Sequence, residues 1–465
     1  MSVILLMPPE IQELNQQGAL ERAFHDALFP NLAYRAEAMA EEVQANTGQQ
    51  IFQSRPGLLP PKTTPLTPGS DPQPSQVVYE QWTAILQQFG DALDTHMPTA
   101  ITSNANLFLR NIQQLGLGAG QSINRIARDS LFQAYLSGNT VMNVASLTTD
   151  TQLHVSSCNG FTDVIIVGSN VAPKPVSPAT PLAIVVGVGA AAVVANVVGF
   201  VLDNPSDPVG PGTLMLAAAI GTAFAARTAV ISAFAPQIVR TGGGATVDAI
   251  GPSDTLLLQD VINSVAILRN NNVPPHDDGY YHAHISPFAN AQVFADPVFQ
   301  RLNTALPEGV MYSQGFIGHM SGVMFFMNTE APNTLNTGTR VFTGPTSAQY
   351  SPEIGAETTN DSGVNIGRVI VTGKGALYER YLDESQYVTE AGTVGKIGEF
   401  DIRNNGIQIL TERIRLVLRA PIDRLQQVVS AAWSITTSFP VPSDITASTS
   451  GAARFKRAVV LEHAL

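Results

Sequence analysis

The segment Pro181–Leu202 (PLAIVVGVGAAAVVANVVGFVL) carries one strongly polar residue, Asn196. A run of this kind must be hidden, either in a lipid bilayer or between layers of protein. It is long enough to cross a membrane as a helix, but no basic cluster flanks it to fix an orientation. Valine is its main large residue and glycines recur. The turn-forming stretch Asp203–Pro208 then leads to a second apolar run, Leu214–Val239. That pattern predicts buried β-strands, with membrane insertion through 181–202 as the alternative. The change in composition is wider than this one run. Charged residues nearly vanish from Thr151 to Gly244, and Gly242-Gly243-Gly244 closes the stretch.

Low charge characterises the whole chain. Of its 465 residues 13% are charged, about half the usual quarter. A lone monomer would then cover itself with neutral groups, whereas a subunit buried against copies of itself would not. The net charge of −12 opposes tight sequence-specific binding to nucleic acid. Cys158 is the only cysteine, which excludes an intrachain disulfide and a Cys-based zinc site and fits folding in a cytosol. Met1–Met7 lacks a basic flank and runs into Pro8-Pro9, so no secretory signal is expected.

Elsewhere helices and strands are mixed without a regular βαβ period, which places the chain in the α+β class. Glu10–Gln49 has leucines at helical spacing with Pro30 inside, predicting two short helices. Seven prolines between Pro56 and Pro74 predict an extended segment. Val77–Met97 reads as strand or helix, with a turn at Gly90-Asp91. Asn104–Leu136 has a clear helical stripe, stopped by Gly138-Asn139. Asp254–Arg269 is a second helix capped by Ser253 or Asp254, and Asp296–Ala305 a third. Strands are expected at Gly279–Ser286, Gly315–Asn328 (after a turn), Arg368–Thr372, Gln408–Arg419 and Val428–Phe439.

Few residues suggest chemistry. His282 and His284 are two apart on a strand and so share a face, with His276, Asp277 and Asp278 nearby. They permit a metal-dependent enzyme as a less favoured alternative; no third ligand motif follows, and the preferred reading has no metal. Gly367–Leu377 has a glycine–lysine step, but Lys374 is followed by Gly375, so the phosphate-loop pattern is not met. No nucleophile and base stand out, and neither catalysis nor a cofactor is expected. Arg413, Arg415, Arg419 and Arg424 form the densest basic cluster. It suits contact with a neighbouring subunit or with DNA, or simply a solvated strand face.

Two stretches carry a family resemblance. In the first, a hairpin-like segment from Tyr79 is followed by a long helix ending in Arg128, Asp129, Leu131, Gly138, Asn139 and Thr140. In the second, Ile285-Ser286-Pro287 precedes Asp296-Pro297 and then Gly315, Gly318, Gly322 and Val323; Arg368–Lys374 follows as a strand and turn. In this order and spacing the motifs resemble the major capsid proteins of tailed bacteriophages, of the Hong Kong 97 type. The resemblance implies an N-terminal arm at 1–48, an extended loop at 49–98 and a peripheral domain with a spine helix at 99–150. It further implies an axial domain at 251–400 and peripheral C-terminal strands at 401–465, with 151–250 as an inserted β-rich domain. Function would be self-assembly into an icosahedral shell around double-stranded DNA, in a virion made in the host cytoplasm. The implied partners are copies of the chain in pentamers and hexamers, DNA held by non-specific contact, and portal, scaffold or decoration proteins, with no membrane. Lys62 is the only lysine in the implied loop, and covalent cross-linking is not carried over.

Overall fold

The computed structural model describes residues 19–28, 32–44, 48–56, 62–66, 68–69, 71–72, 74–75, 79–102, 107–166, 170–304, 318–341, 348–382, 400–401, 406–411, 413–419, 425, 427–442 and 457–465. The chain divides into two units. The first takes Met1–Phe52, Thr83–Arg128 and Leu377–Pro440; the second takes Gln53–Trp82, Asp129–Ala376 and Val441–Leu465.

In the first unit, helix Ala19–Leu28 buries Leu20, Phe24 and Leu28, spaced by four so that they share a face. The second helix expected after Pro30 does not form. A short 3-10 turn, Arg35–Glu37, leads into strand Ala38–Val43, which pairs in parallel with Leu377–Leu382. The sequence AMAEEV favours a helix locally, and the long-range ladder overrides it. The ladder belongs to a seven-stranded sheet whose longest member is Val428–Ser438. Val77–Met97 resolves into strands Tyr79–Ile85 and Gln87–His96. Gly90-Asp91 is not the turn; it lies inside the second strand, opposite Ser434 and Trp433. A Cβ on Gly90 would sit 2.5 Å from the Trp433 carbonyl oxygen, so glycine serves close approach there.

The predicted single strand Gln408–Arg419 is instead a hairpin, Gly406–Thr411 paired with Ile414–Arg419. Arg413 makes the turn at φ +67°. Neither glycine nor asparagine marks it, so the break leaves little trace in the sequence. Val428–Ser438 pairs with Ile414–Arg419 as expected.

The long helix is Leu107–Leu136, 30 residues. Within the first unit it buries Phe108, Ile112, Leu115, Ala119, Ile123 and Ala127. Gly116 lets the backbone of helix Ala19–Leu28 approach, since a Cβ there would meet the Phe24 carbonyl oxygen at 2.7 Å. The Asn124 side-chain oxygen accepts the buried N–H of Tyr34 at 2.7 Å. The helix ends where predicted, with Gly138 in the left-handed region at φ +72°.

The second unit holds the charge-poor stretch as a six-stranded sheet. Its order is Asn139–Val141, Ala229–Ser232, Leu182–Val186, Val193–Leu202, Gly212–Leu216, Gln152–Val155. The segment Pro181–Leu202 is therefore an antiparallel hairpin with Val185 opposite Val194. Leu182, Ile184 and Val186 point into a core with Val155, Phe161, Leu214 and Val230. Two strands, Leu182–Val186 and Val193–Leu202, stand where a bilayer would need a single helix, and among the described residues no helix is long and apolar enough to cross a membrane. Cys158 is buried here, and burial pushes its thiol up to about 12. In a separate four-stranded sheet, Tyr79–Ile85 lies between Gln50–Pro56 and Asn170–Pro175, with Asp163–Ile166 beyond.

A second six-stranded sheet runs Ile238–Arg240, Ala458–Ala464, Ile366–Thr372, Tyr281–Ile285, Val323–Met327, His319–Met320. Helix Leu258–Asn270 packs Val261, Val265 and Leu268 into the same core as Ala283, Val369, Val371 and Leu461. That helix starts later than predicted. Asp254 accepts the Gly251 N–H in the preceding turn, while Asp296 and Asp260 receive the N–H groups of Leu258 and Leu257. Ser286 caps a further helix, Pro287–Ala295, through the Ala289 N–H. Helix Pro297–Thr304 follows. The last strand also departs from expectation: Ala458–Ala464 belongs to this sheet, between Ile238–Arg240 and Ile366–Thr372, and not with the strands of 401–440.

Candidate functional site

Val428–Ser438 alternates without interruption. Val429, Ala431, Trp433, Ile435 and Thr437 are buried, and Ser430, Ala432, Ser434 and Thr436 are turned outward. The neighbouring strand does the same, burying Ile414, Leu416 and Leu418 while Arg415, Val417 and Arg419 face out. Register puts Arg415 opposite Ser434 and Arg419 opposite Ser430, and the Arg415 Nε donates to Ser434 Oγ at 3.2 Å. Across the long strand, Asp94 pairs with Ser430 and Gln88 with Thr436. The outcome is a sheet face of small hydroxyl side chains with two arginines on one strand and Asp94 on another. Such a face can meet an extended polyanion or a polar protein surface without a pocket.

The predicted basic cluster is thereby split. Arg415 and Arg419 share this face. Arg413, in the turn, is committed to its own chain: its Nη1 lies 3.1 Å from Glu379 Oε2 and its guanidinium 4.4 Å from the Tyr381 ring centre. Glu379 is buried, and its other oxygen is held by Arg35 at 2.8 Å. Arg380 also pairs with Glu41, so ionic contacts as well as the ladder fix strand Ala38–Val43 in place. Arg424 lies outside the described residues.

His282 and His284 do share one side of their strand. His282 Nε2 is 2.9 Å from Asp278 Oδ2, and its ring stacks on His276 at 3.9 Å. His284 is buried, and the Phe326 ring packs against both histidines, at 4.9 Å from His282 and 5.5 Å from His284. Both histidines thus sit in aromatic packing. Lys374 and Gly375 form the tight turn expected of them, and Lys374 pairs with Asp277.

Sequence reading missed a buried ionic network in the second unit. Glu462 Oε1 receives Arg368 at 2.7 and 2.9 Å, and its Oε2 receives the Arg240 Nε at 2.8 Å. Arg227 grips Asp248 through Nε at 2.8 Å and Nη2 at 2.7 Å, and reaches Glu357 through Nη1 at 2.7 Å. Burial raises both buried carboxyls. At Glu462 the two arginines outweigh it and hold the group below the usual range, whereas at Glu357 burial wins, because its one arginine is shared with Asp248. Burial also works against the Arg227 charge, but the two carboxylates hold it above its ordinary range. The clue was available: Arg227 and Arg240 survive in a stretch that carries few charges, and a buried charge needs a partner.

Comparison with solved structures finds phage shells. The chain is similar to the capsid of the cyanophage P-SCSP1u (TM-score 0.46, 10% identity, 92% of this chain and 86% of that chain). It is similar to a subunit of the cyanophage Pam1 capsid (0.46, 10%, 95% and 92%). It is also similar to the acid-stable capsid of the Helicobacter pylori bacteriophage KHP30 (0.47, 8%, 93% and 91%). No protein-family model and no curated protein matches.

Proposed function

We propose that this chain is a structural shell subunit, a major capsid protein that assembles with its own copies into an icosahedral container for phage double-stranded DNA. Its work on this reading is assembly, not catalysis, in a virion. The observation that carries it is a pair of strands in the segment whose motifs resemble the extended loop. Tyr79–Ile85 buries Glu80, Trp82 and Ala84 while leaving Tyr79 and Ile85 exposed, and Gln50–Pro56 leaves Phe52 70% exposed. Large apolar side chains exposed on strands are costly in water and are used where a neighbour covers them. Low overall charge serves the same end, because the surface is to be shared.

Residues 1–48 then act as the arm, 49–98 as the loop given to neighbours, 99–150 and 401–440 as the peripheral part, 251–400 as the axial part and 151–250 as the insertion. The hydroxyl face with Arg415 and Arg419 faces DNA or an adjoining subunit, and an acidic chain with few outward arginines avoids trapping DNA on the wall. Deleting residues 1–76 should leave subunits or aggregates without closed shells. Electron micrographs showing normal shells from that truncation would refute the assignment.

A further inference from the structure

The charge-poor sheet closes on itself. Its two end strands, Asn139–Val141 and Gln152–Val155, meet where Met142 bridges Val155. There the Ser156 N–H donates to the Val141 carbonyl at 3.0 Å, and the Asn143 N–H to the His154 carbonyl at 2.9 Å. The result is a six-stranded barrel. Closure removes the free edges, so a partner cannot add a strand and must lie on an outer face or on the loops.

Alternation puts Leu182, Ile184, Val186, Val197 and Leu214 inside the barrel. The other side of strands Leu182–Val186, Val193–Leu202 and Gly212–Leu216 faces out, and it is apolar as well. Val194 is 72% exposed and Val201 52%, and Met215 is exposed too. Val185 stands opposite Val194, and Met215 opposite Gly199, where a Cβ would lie 3.6 Å from the Met215 sulfur. The Ala217 N–H donates to the Asn196 carbonyl at 2.8 Å, which brings the exposed Ala217-Ala218-Ala219 alongside. None of the three strands contains Asp, Glu, Lys or Arg. A strand with one side in water alternates apolar and polar, whereas one that is apolar on both sides is covered on both.

Size and charge decide what covers this face. Three strands ~4.8 Å apart, the longest of 10 residues at ~3.3 Å each, give a footprint on the order of 500 Å². A stable complex needs about 800 Å² from each partner. With no charge to steer association, a freely diffusing partner would be held weakly. A neighbour already tethered in a shell meets the face at a far higher effective concentration, so a small contact suffices. An apolar sheet face is best satisfied by another, and every copy brings one. We propose that the outer face around Val185, Val194, Val201 and Met215 is covered by the same face of a second copy, sheet against sheet about a two-fold axis. This rests on the shell reading and assigns the inserted domain a contact within it.

Val194→Cys tests the contact on the full chain. It adds one exposed thiol, since Cys158, the only natural cysteine, is buried. The thiol should react freely with a maleimide in unassembled subunits, and about tenfold more slowly in shells assembled from this chain alone. Val194→Lys and Val194→Glu should each lower shell yield about tenfold by setting like charges together, and an equal mixture of the two should recover it. Undiminished thiol reactivity in shells, normal shells from both charged variants, or loss without recovery in the mixture would each overturn the proposal and leave the shell reading standing. Protection that appears only when a different protein is added would assign the face to that partner and overturn the proposal too. A wild-type chain that makes no shells would bring down the shell reading, and this inference with it.

Discussion

His463 lies on strand Ala458–Ala464 with its ring fully buried, against a bare backbone at Gly367 where a Cβ would stand 2.6 Å from the ring. Burial pushes the imidazole down from 6.5 to about 4; the Ala464 carbonyl, bonded to Nδ1 at 2.9 Å, works the other way, and the Arg368 charge adds to the lowering. The folded-state value is depressed, so this contribution to stability is present above the unfolded value of 6.5 and is lost as pH falls toward about 4. The full difference, at about 1.36 kcal/mol per pH unit, amounts to about 3 kcal/mol. Between about pH 7.5 and about pH 5 the unfolded chain takes up the proton while the folded chain does not, which removes about 2 kcal/mol. Urea unfolding of unassembled subunits at the two pH values should show that loss, and His463→Phe should lose less than half as much, because no proton can bind. The other seven histidines and the carboxyls are common to both proteins, so the difference between the two acid losses isolates His463. Equal acid losses in the two proteins would refute the reasoning.

Two further outcomes follow from the packing. Glu462→Gln leaves Arg240 and Arg368 buried against a neutral amide and should cost on the order of 3–5 kcal/mol in the same assay. Since the Glu462 carboxyl is held low in the fold, wild type should converge on the variant only as pH falls below the ordinary carboxylate value of 4.5. On the long helix, Gly116→Ala pushes a methyl against the Phe24 carbonyl and should destabilise by about 1 kcal/mol net of its better helix propensity, as read by thermal unfolding. Gly118→Ala, with nothing within 4 Å, should stabilise by up to about 1 kcal/mol.

What could be read from the sequence was whatever a short window records. The stripe of Leu107–Leu136, the Gly138 stop and the alternation of Val428–Ser438 all follow from periods of a few residues, and each stands where expected. The outward placement of Arg415 and Arg419 was legible for the same reason. Partners far along the chain left no local mark. Ala38–Val43 has the composition of a helix and becomes a strand only because Leu377–Leu382 waits for it. Arg413 reads as one more cation in a row, and only the fold shows Glu379 beneath it.

The Arg35–Glu379 contact joins residues 344 positions apart. On a ribosome moving at ~5–20 residues per second, Ala38–Val43 emerges roughly 17–70 s before the strand it must lie beside. Through that interval it is an unpaired edge on a nascent chain, open to β-pairing with the same strand on the next chain of the polysome. Production of the protein should therefore be limited by what shields a few early residues during translation, well before subunit concentration or shell geometry has any say.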